Sequence, residues 1–181
     1  RIAVVTGGRG GIGQAICARF AREGARVVAA DIAKGEGELP ENVSYHALDV
    51  TDEAACEAFA ATLDAEYRRL DILVNAAAIQ IEKTIEETTL EEWNRVFAIN
   101  VTGTFLASKY LLPLMRKASG GSIINFGSYD GFIADPGLSA YCATKGAVHA
   151  LTRAMACDYG PENIRVNAIC PGFVDTPMLQ S

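Results

Sequence analysis

The 181-residue chain is 50% apolar and carries 16 Lys and Arg against 22 Asp and Glu, a formal net charge of −6 at pH 7. This composition suits one domain with a sizeable core, and the lack of any basic block argues against a nucleic-acid partner. No apolar run is long enough to span a bilayer, "RIAVVTGG" reads as the opening of a strand so that no signal peptide is expected, and the five cysteines form no CxxC pair. Reduced thiols in a cytoplasmic compartment are therefore expected, with neither a zinc site nor a disulfide framework. In chain order, "IAVVT" (2–6), "RVVAAD" (26–31), "VSYHAL" (43–48), "DILVN" (71–75), "SIINF" (122–126) and "RVNAI" (165–169) read as strands. Most are almost continuously apolar, as in parallel strands buried on both faces. Helical patterns cover 12–23, 52–69, 89–116 (two helices broken near Asn100) and 140–158. Alternating strands and helices predict one doubly wound α/β domain over residues 1–181.

"TGGRGGIG" (6–13) joins the first strand to the first helix. It contains both GxGxxG (Gly8, Gly10, Gly13) and TGxxxGxG (Thr6, Gly7, Gly11, Gly13). Glycines here permit a tight turn and let the backbone approach a pyrophosphate, which sits at the free N–H groups and positive end of the helix. The strand–turn–helix context gives the pattern its weight. Asp31 ends the second strand, where an acid can hydrogen-bond the ribose hydroxyls of an adenosine and repel a 2′-phosphate. It favours NAD over NADP; Arg9, a base in the glycine turn, pulls the other way. Asp49 and Val50 follow the third strand and are placed beside the adenine, as a hydrogen-bonding group and an apolar wall.

"YCATK" (141–145) sets Tyr141 and Lys145 four residues apart, on one face of a helix. Two unit charges near 5 Å interact by roughly 3 kcal/mol at an effective dielectric of 20. Lys145 is therefore expected to bring the Tyr141 pKa from about 10 toward 8, making a general base. Ser128, thirteen residues earlier, follows the fifth strand. Ligands of a doubly wound sheet bind beyond the carboxyl ends of its strands, which puts the serine in the same region.

Together with "LDV" (48–50), "LVNAAA" (73–78), "NVTGTF" (100–105), "INFGS" (124–128), "IRVNAICPG" (164–172) and "DTPM" (175–178), these pieces resemble the short-chain dehydrogenase/reductase family along nearly the whole chain. The resemblance implies a Rossmann-type parallel sheet in the order 3-2-1-4-5-6. It implies an active-site group of Asn100, Ser128, Tyr141 and Lys145. Tyr141 would exchange a proton with the substrate oxygen while hydride moves to or from the nicotinamide. Ser128 would hold that oxygen, Lys145 would lower the tyrosine pKa and bind the ribose, and Asn100 would hold a proton-relay water. Cofactor contacts are implied at Gly7, Arg9, Gly11, Ile12, Gly13, Asp31, Asp49, Val50, Asn75, Ala77, Tyr141, Lys145, Pro171, Gly172, Val174 and Thr176. Ala78 stands where the family usually has glycine. Relatives are longer, so the chain reads as lacking the family's seventh strand and substrate-covering lid.

The implied reaction is hydride exchange between NAD and a secondary alcohol or ketone. Gln80, Glu82, Ser128, Tyr129, Asp130 and Asp135 are candidate substrate contacts, and their polarity points to a sugar, polyol or cyclic alcohol. An NADP-dependent acyl-carrier reductase is the rival enzyme; Asp31 and the acidic run 82–93 argue against it. A non-catalytic dinucleotide-binding module is the rival of another class. His46 and His149 have no supporting motif for a Ser-His-Asp mechanism, and His149 reads as a packed or surface residue. No metal site is expected. The resemblance also implies a homodimer or homotetramer through helices near 102–117 and 140–158.

Overall fold

The structure is a computed structural model that describes residues 1–35 and 37–176. Six strands form one parallel sheet: β1 (Ile2–Thr6), β2 (Arg26–Asp31), β3 (Val43–Ala47), β4 (Ile72–Asn75), β5 (Gly121–Phe126) and β6 (Ile164–Ile169). Their order is β3-β2-β1-β4-β5-β6, as expected. The chain crosses between β1 and β4 there, which opens a crevice at the carboxyl ends of those strands.

Side chains of β1 and β2 alternate between the two faces, as the two-residue period of a strand requires. Ala3, Val5, Val27 and Ala29 pack with Cys17 and Ala21 of α1 (Gly11–Arg22). Val4 and Val28 pack on the other face with Phe59 and Leu63 of α2 (Glu53–Tyr67) and with Leu111 and Met115 of α4 (Gly103–Lys117). The same cluster takes in Met155 of α5 (Ser139–Tyr159) beside Ile164 and Val166 of β6. A strand covered on both faces has no polar side, so the near-continuous apolar runs follow directly from the layered architecture.

Residues 89–116 depart from expectation. Thr89 caps α3 (Leu90–Phe97) with a reciprocal capping box to Glu92. Beyond Phe97 the helix is not broken at Asn100: Ala98–Thr102 form a π-helical turn that runs on into α4. The wider turn inserts a residue without ending the helix. It leaves Asn100 buried, with its amide directed at the segment after β4.

Phe59 carries much of the α2 contact and packs against the His46 ring at 4.5 Å. Phe59→Ala is expected to lower the unfolding free energy by about 3–5 kcal/mol, read from urea unfolding. A loss under about 1 kcal/mol would show that the α2 layer is not part of the cooperative core.

Candidate active site

A cleft of about 130 Å³ opens at the carboxyl edge of the sheet. Its walls come from the end of β5 with the loop behind it, the segment after β4, α5, and residues 171–176 after β6. Ser128, Tyr141 and Lys145 all line it, together with Ile12 of the glycine turn. Gln80, Tyr129, Asp130 and Asp135 line it too, as do Pro171, Gly172, Val174 and Thr176. Glu82 does not: it is exposed, with its side chain near Gly137. Pro177 and Met178 of the expected "DTPM" segment lie outside the described residues.

The glycine turn is shaped by close backbone contacts. A side chain at Gly13 would come within 2.0 Å of the Gly7 carbonyl oxygen. Gly7 has φ +65°, and a side chain there would meet the Ala77 backbone at 2.7 Å. The turn therefore rests directly on the segment after β4. α1 begins with Gly10 as N-cap, no side chain caps it, and no acid occupies its first turn. Its opening N–H groups and dipole suit an anion. Asp31 sits beside the turn, where one carboxylate oxygen accepts from the Arg9 N–H at 2.9 Å. The Arg9 guanidinium reaches back to the carbonyls of Lys34 and Gly37 in the β2–β3 loop. Asp49 accepts from the N–H and hydroxyl of Thr51, while Val50 is buried and would be struck by any side chain at Gly103. Val50 is also part of the core, because the start of α4 packs directly over it.

Two further expected site residues make structural contacts. Asn75 turns its side chain into the end of the sheet. Its amide nitrogen donates to Ser108 Oγ at 3.1 Å and to Asn125 Oδ1 at 2.9 Å inside the core. Its backbone is in register with Thr6 of β1. Asn100 commits its side-chain amide to contacts within the site. Its Oδ1 accepts from the Ile79 N–H at 2.9 Å, and its Nδ2 donates to the Ile79 carbonyl and to Thr144 Oγ1, each at 3.0 Å. The residue clamps the loop after β4 onto α5.

Tyr141 and Lys145 are adjacent as their spacing predicts, with Lys145 Nζ 5.3 Å from the phenol ring centroid. The ammonium, however, donates to the Phe126 carbonyl at 2.8 Å. Lys145 is 3% exposed, and burial lowers its pKa to about 8, against a small opposing pull from Cys170. Burial raises the Tyr141 pKa above its ordinary value; the Ser128 hydroxyl opposes this, and the charges of Asp130 and Cys142 reinforce it. The expected drop toward 8 is therefore not found. Desolvation of the phenol sets the direction, while the Lys145 ammonium is aimed at the Phe126 carbonyl.

His149 is a packed residue, one of its two expected readings, but its place behind Ser128 beside Cys170 was not expected. His149 is i+4 from Lys145, and its Nε2 accepts from the Ser128 N–H at 3.4 Å and lies 3.1 Å from Cys170 Sγ. Its ring stacks on Phe132 and fills the space that side chains at Gly127 and Gly131 would need, 2.2 and 2.3 Å away. Burial holds His149 below its usual pKa, helped by the Arg153 and Lys145 charges. The helical repeat 141, 145, 149 is the signal that could have revealed it.

Two measurements check this geometry. Lys145 binds its proton less tightly folded than unfolded, so between about pH 8 and 10.5 the unfolded chain holds more protons and stability rises with pH. Lys145→Met removes that rise. Its stability relative to the parent should fall by on the order of 3 kcal/mol across the window, followed by guanidinium unfolding at each pH; a constant gap would contradict the buried ammonium. Gly127→Ala should destabilise by about 1–3 kcal/mol. In the double variant with His149→Ala the two costs should not add, and strict additivity would show that the ring does not fill that space.

Comparison with known proteins agrees with this arrangement. A family model described as short chain dehydrogenase matches residues 1–181. Cyclopentanol dehydrogenase of Comamonas sp. (strain NCIMB 9872) is 42% identical over 188 residues, which cover 99% of this chain and 75% of that protein. The ligand-free aldohexose dehydrogenase of Thermoplasma acidophilum superposes with a TM-score of 0.93 at 35% identity, covering 99% of this chain and 69% of that one. The 3-ketoacyl-(acyl-carrier-protein) reductase of Brucella melitensis, complexed with NADH, also gives 0.93, at 32% identity over 99% of this chain and 78% of that one. The chain belongs to the short-chain dehydrogenase/reductase family of alcohol-linked oxidoreductases.

Proposed function

We propose that this protein exchanges hydride between NAD and a secondary alcohol or its ketone, with a sugar, polyol or cyclic alcohol as substrate. The convergence of Ser128, Tyr141 and Lys145 on one cleft beside the uncapped glycine turn carries the reading. The opening N–H groups of α1 would hold the pyrophosphate, and Asp31 the adenosine ribose. A bound nicotinamide supplies the hydride acceptor or donor. Tyr141 would give or take the proton of the substrate oxygen, Ser128 would fix that oxygen, and Lys145 would bind the nicotinamide ribose. Residues 171–176 would cover the ring. Asn100 contributes by locking Ile79 and α5 in place. NAD is favoured over NADP because the Asp31 carboxylate is fixed at the turn and the Arg9 side chain is drawn into the β2–β3 loop. Assembly into a homodimer through α4 and α5 fits this reading, with Phe105 exposed on α4. The five free thiols suit a reducing compartment such as the cytoplasm. A carrier-bound acyl substrate is the second reading, favoured by the exposed Phe132, Ile133 and Phe173 near the cleft.

Reduced-nicotinamide absorbance with cyclopentanol, butane-2,3-diol, aldohexoses and a 3-ketoacyl thioester separates these readings. NAD reduction by an alcohol is expected, and oxidation of NADPH by the thioester alone would favour the second reading. Tyr141→Phe should cut turnover by about 10²–10⁴-fold with dinucleotide affinity retained; unchanged turnover would refute the proton-transfer role. Asp31→Ser should narrow the NAD preference by about tenfold, and an unaltered cofactor ratio would remove Asp31 from the argument.

A further inference from the structure

Resting on the proposed active site, a second residue behind Ser128 follows from counting hydrogen bonds. A serine hydroxyl has one proton and two lone pairs. Ser128 Oγ donates to Asp130 Oδ2 at 3.0 Å and accepts from the Asp130 N–H at 3.2 Å. The proton and one lone pair are both taken by the same residue, so one lone pair remains to face the cleft. Asp130 is itself fixed: it is 8% exposed, and its Oδ1 accepts from the Asp135 N–H at 3.3 Å and from Cys142 Sγ at 3.8 Å. These contacts join the loop after β5 to the first turn of α5. They hold a carboxylate in the wall of the cleft beside Tyr141.

We propose that Asp130 is a positioning residue that retains the Ser128 proton, so that the serine meets the reacting oxygen as an acceptor and the site is suited to a substrate that offers a hydroxyl. A carbonyl oxygen offers no proton to that lone pair. For Ser128 to donate to it, the bond to Asp130 must first be given up. The same competition governs Tyr141. A tyrosinate and the Asp130 carboxylate are two anions contending for one serine proton, which opposes ionisation of the phenol. This agrees with the directions seen at Tyr141, where the Asp130 charge raises the pKa and the Ser128 hydroxyl lowers it. The other ionisable groups near the pair are Cys142 and Lys145 on α5, Asp135 on the loop, and His149 and Cys170 behind Ser128.

The test is an alkaline titration of phenolate absorbance, made on the protein without cofactor or substrate so that its outcome is independent of the dehydrogenase reading. The chain has six tyrosines, and the difference from Tyr141→Phe isolates the Tyr141 transition. Asp130→Asn should move that transition to lower pH, because it removes a charge and leaves a weaker, neutral acceptor to compete with the tyrosinate for the Ser128 proton. Ser128→Ala alone should move it to higher pH. Asp130→Asn introduced into Ser128→Ala should then produce a smaller downward shift than in the parent, since only the charge remains to be lost. Equal shifts in the two backgrounds would overturn the proposal, as would no shift in either. If the asparagine variant does not fold, Asp130→Ser provides a smaller neutral replacement for the same cycle.

Discussion

An ammonium held almost wholly out of water fixes the arrangement of this site. Lys145 projects from the second turn of α5 into the end of β5, where the Phe126 carbonyl accepts a hydrogen bond from it. Burying a charge is costly unless it is paired or given up, and the depressed pKa near 8 records that cost. The arrangement holds only because α5 lies close against the loops that follow β5 and β6. On the same helix face Tyr141 comes one turn before Lys145 and His149 one turn after. Gly127 and Gly131 leave room for the His149 ring, and the Tyr129 N–H bonds the Pro171 carbonyl at 3.0 Å. A single helix thus aligns two loops from neighbouring strands.

The sheet supplies the matching fixed frame. Thr6, Asn75 and Asn125 stand at corresponding positions on β1, β4 and β5. Asn75 donates to Asn125, and Asn125 donates to Thr152 of α5 at 2.9 Å, so a buried polar chain links the strand ends to the helix. Buried amides tolerate few alternative partners, which favours one register over its neighbours. From the other side, Asn100 clamps Ile79 and reaches Thr144, and Thr144 Oγ1 donates to the Tyr141 carbonyl at 2.7 Å. The face of α5 that lines the cleft is therefore pinned by side chains from both flanks.

Much of this frame was legible in the sequence because it depends on periodicity and on local turn chemistry. Strands buried on both faces produce unbroken apolar runs, and the strand–turn–helix setting marks the glycine turn, although Gly7 itself is required by the distant segment after β4. The residues 141 and 145 were legible as a pair through helix geometry alone. What escaped depends on contacts between distant segments. Nothing local indicates that Asn75 turns inward to Ser108, or that Asn100 spends its amide on Ile79. The helix was expected to break at Asn100, whereas a π-turn absorbs the irregularity. The Tyr141 estimate counted one nearby charge and omitted burial, which is set by packing that no spacing rule contains. Asp130 was legible as a polar residue near the substrate, but its grip on Ser128 required the fold of the turn.

The account depends on hydride leaving a secondary carbinol carbon in the presence of an intact Tyr141. The most direct measurement is reduction of NAD by secondary alcohols deuterated at that carbon, with analysis of the reduced nicotinamide by mass spectrometry. The account predicts deuterium on the nicotinamide ring with the parent protein and its loss with Tyr141→Phe. Bound NAD that acquires no deuterium from any alcohol in the series would contradict it.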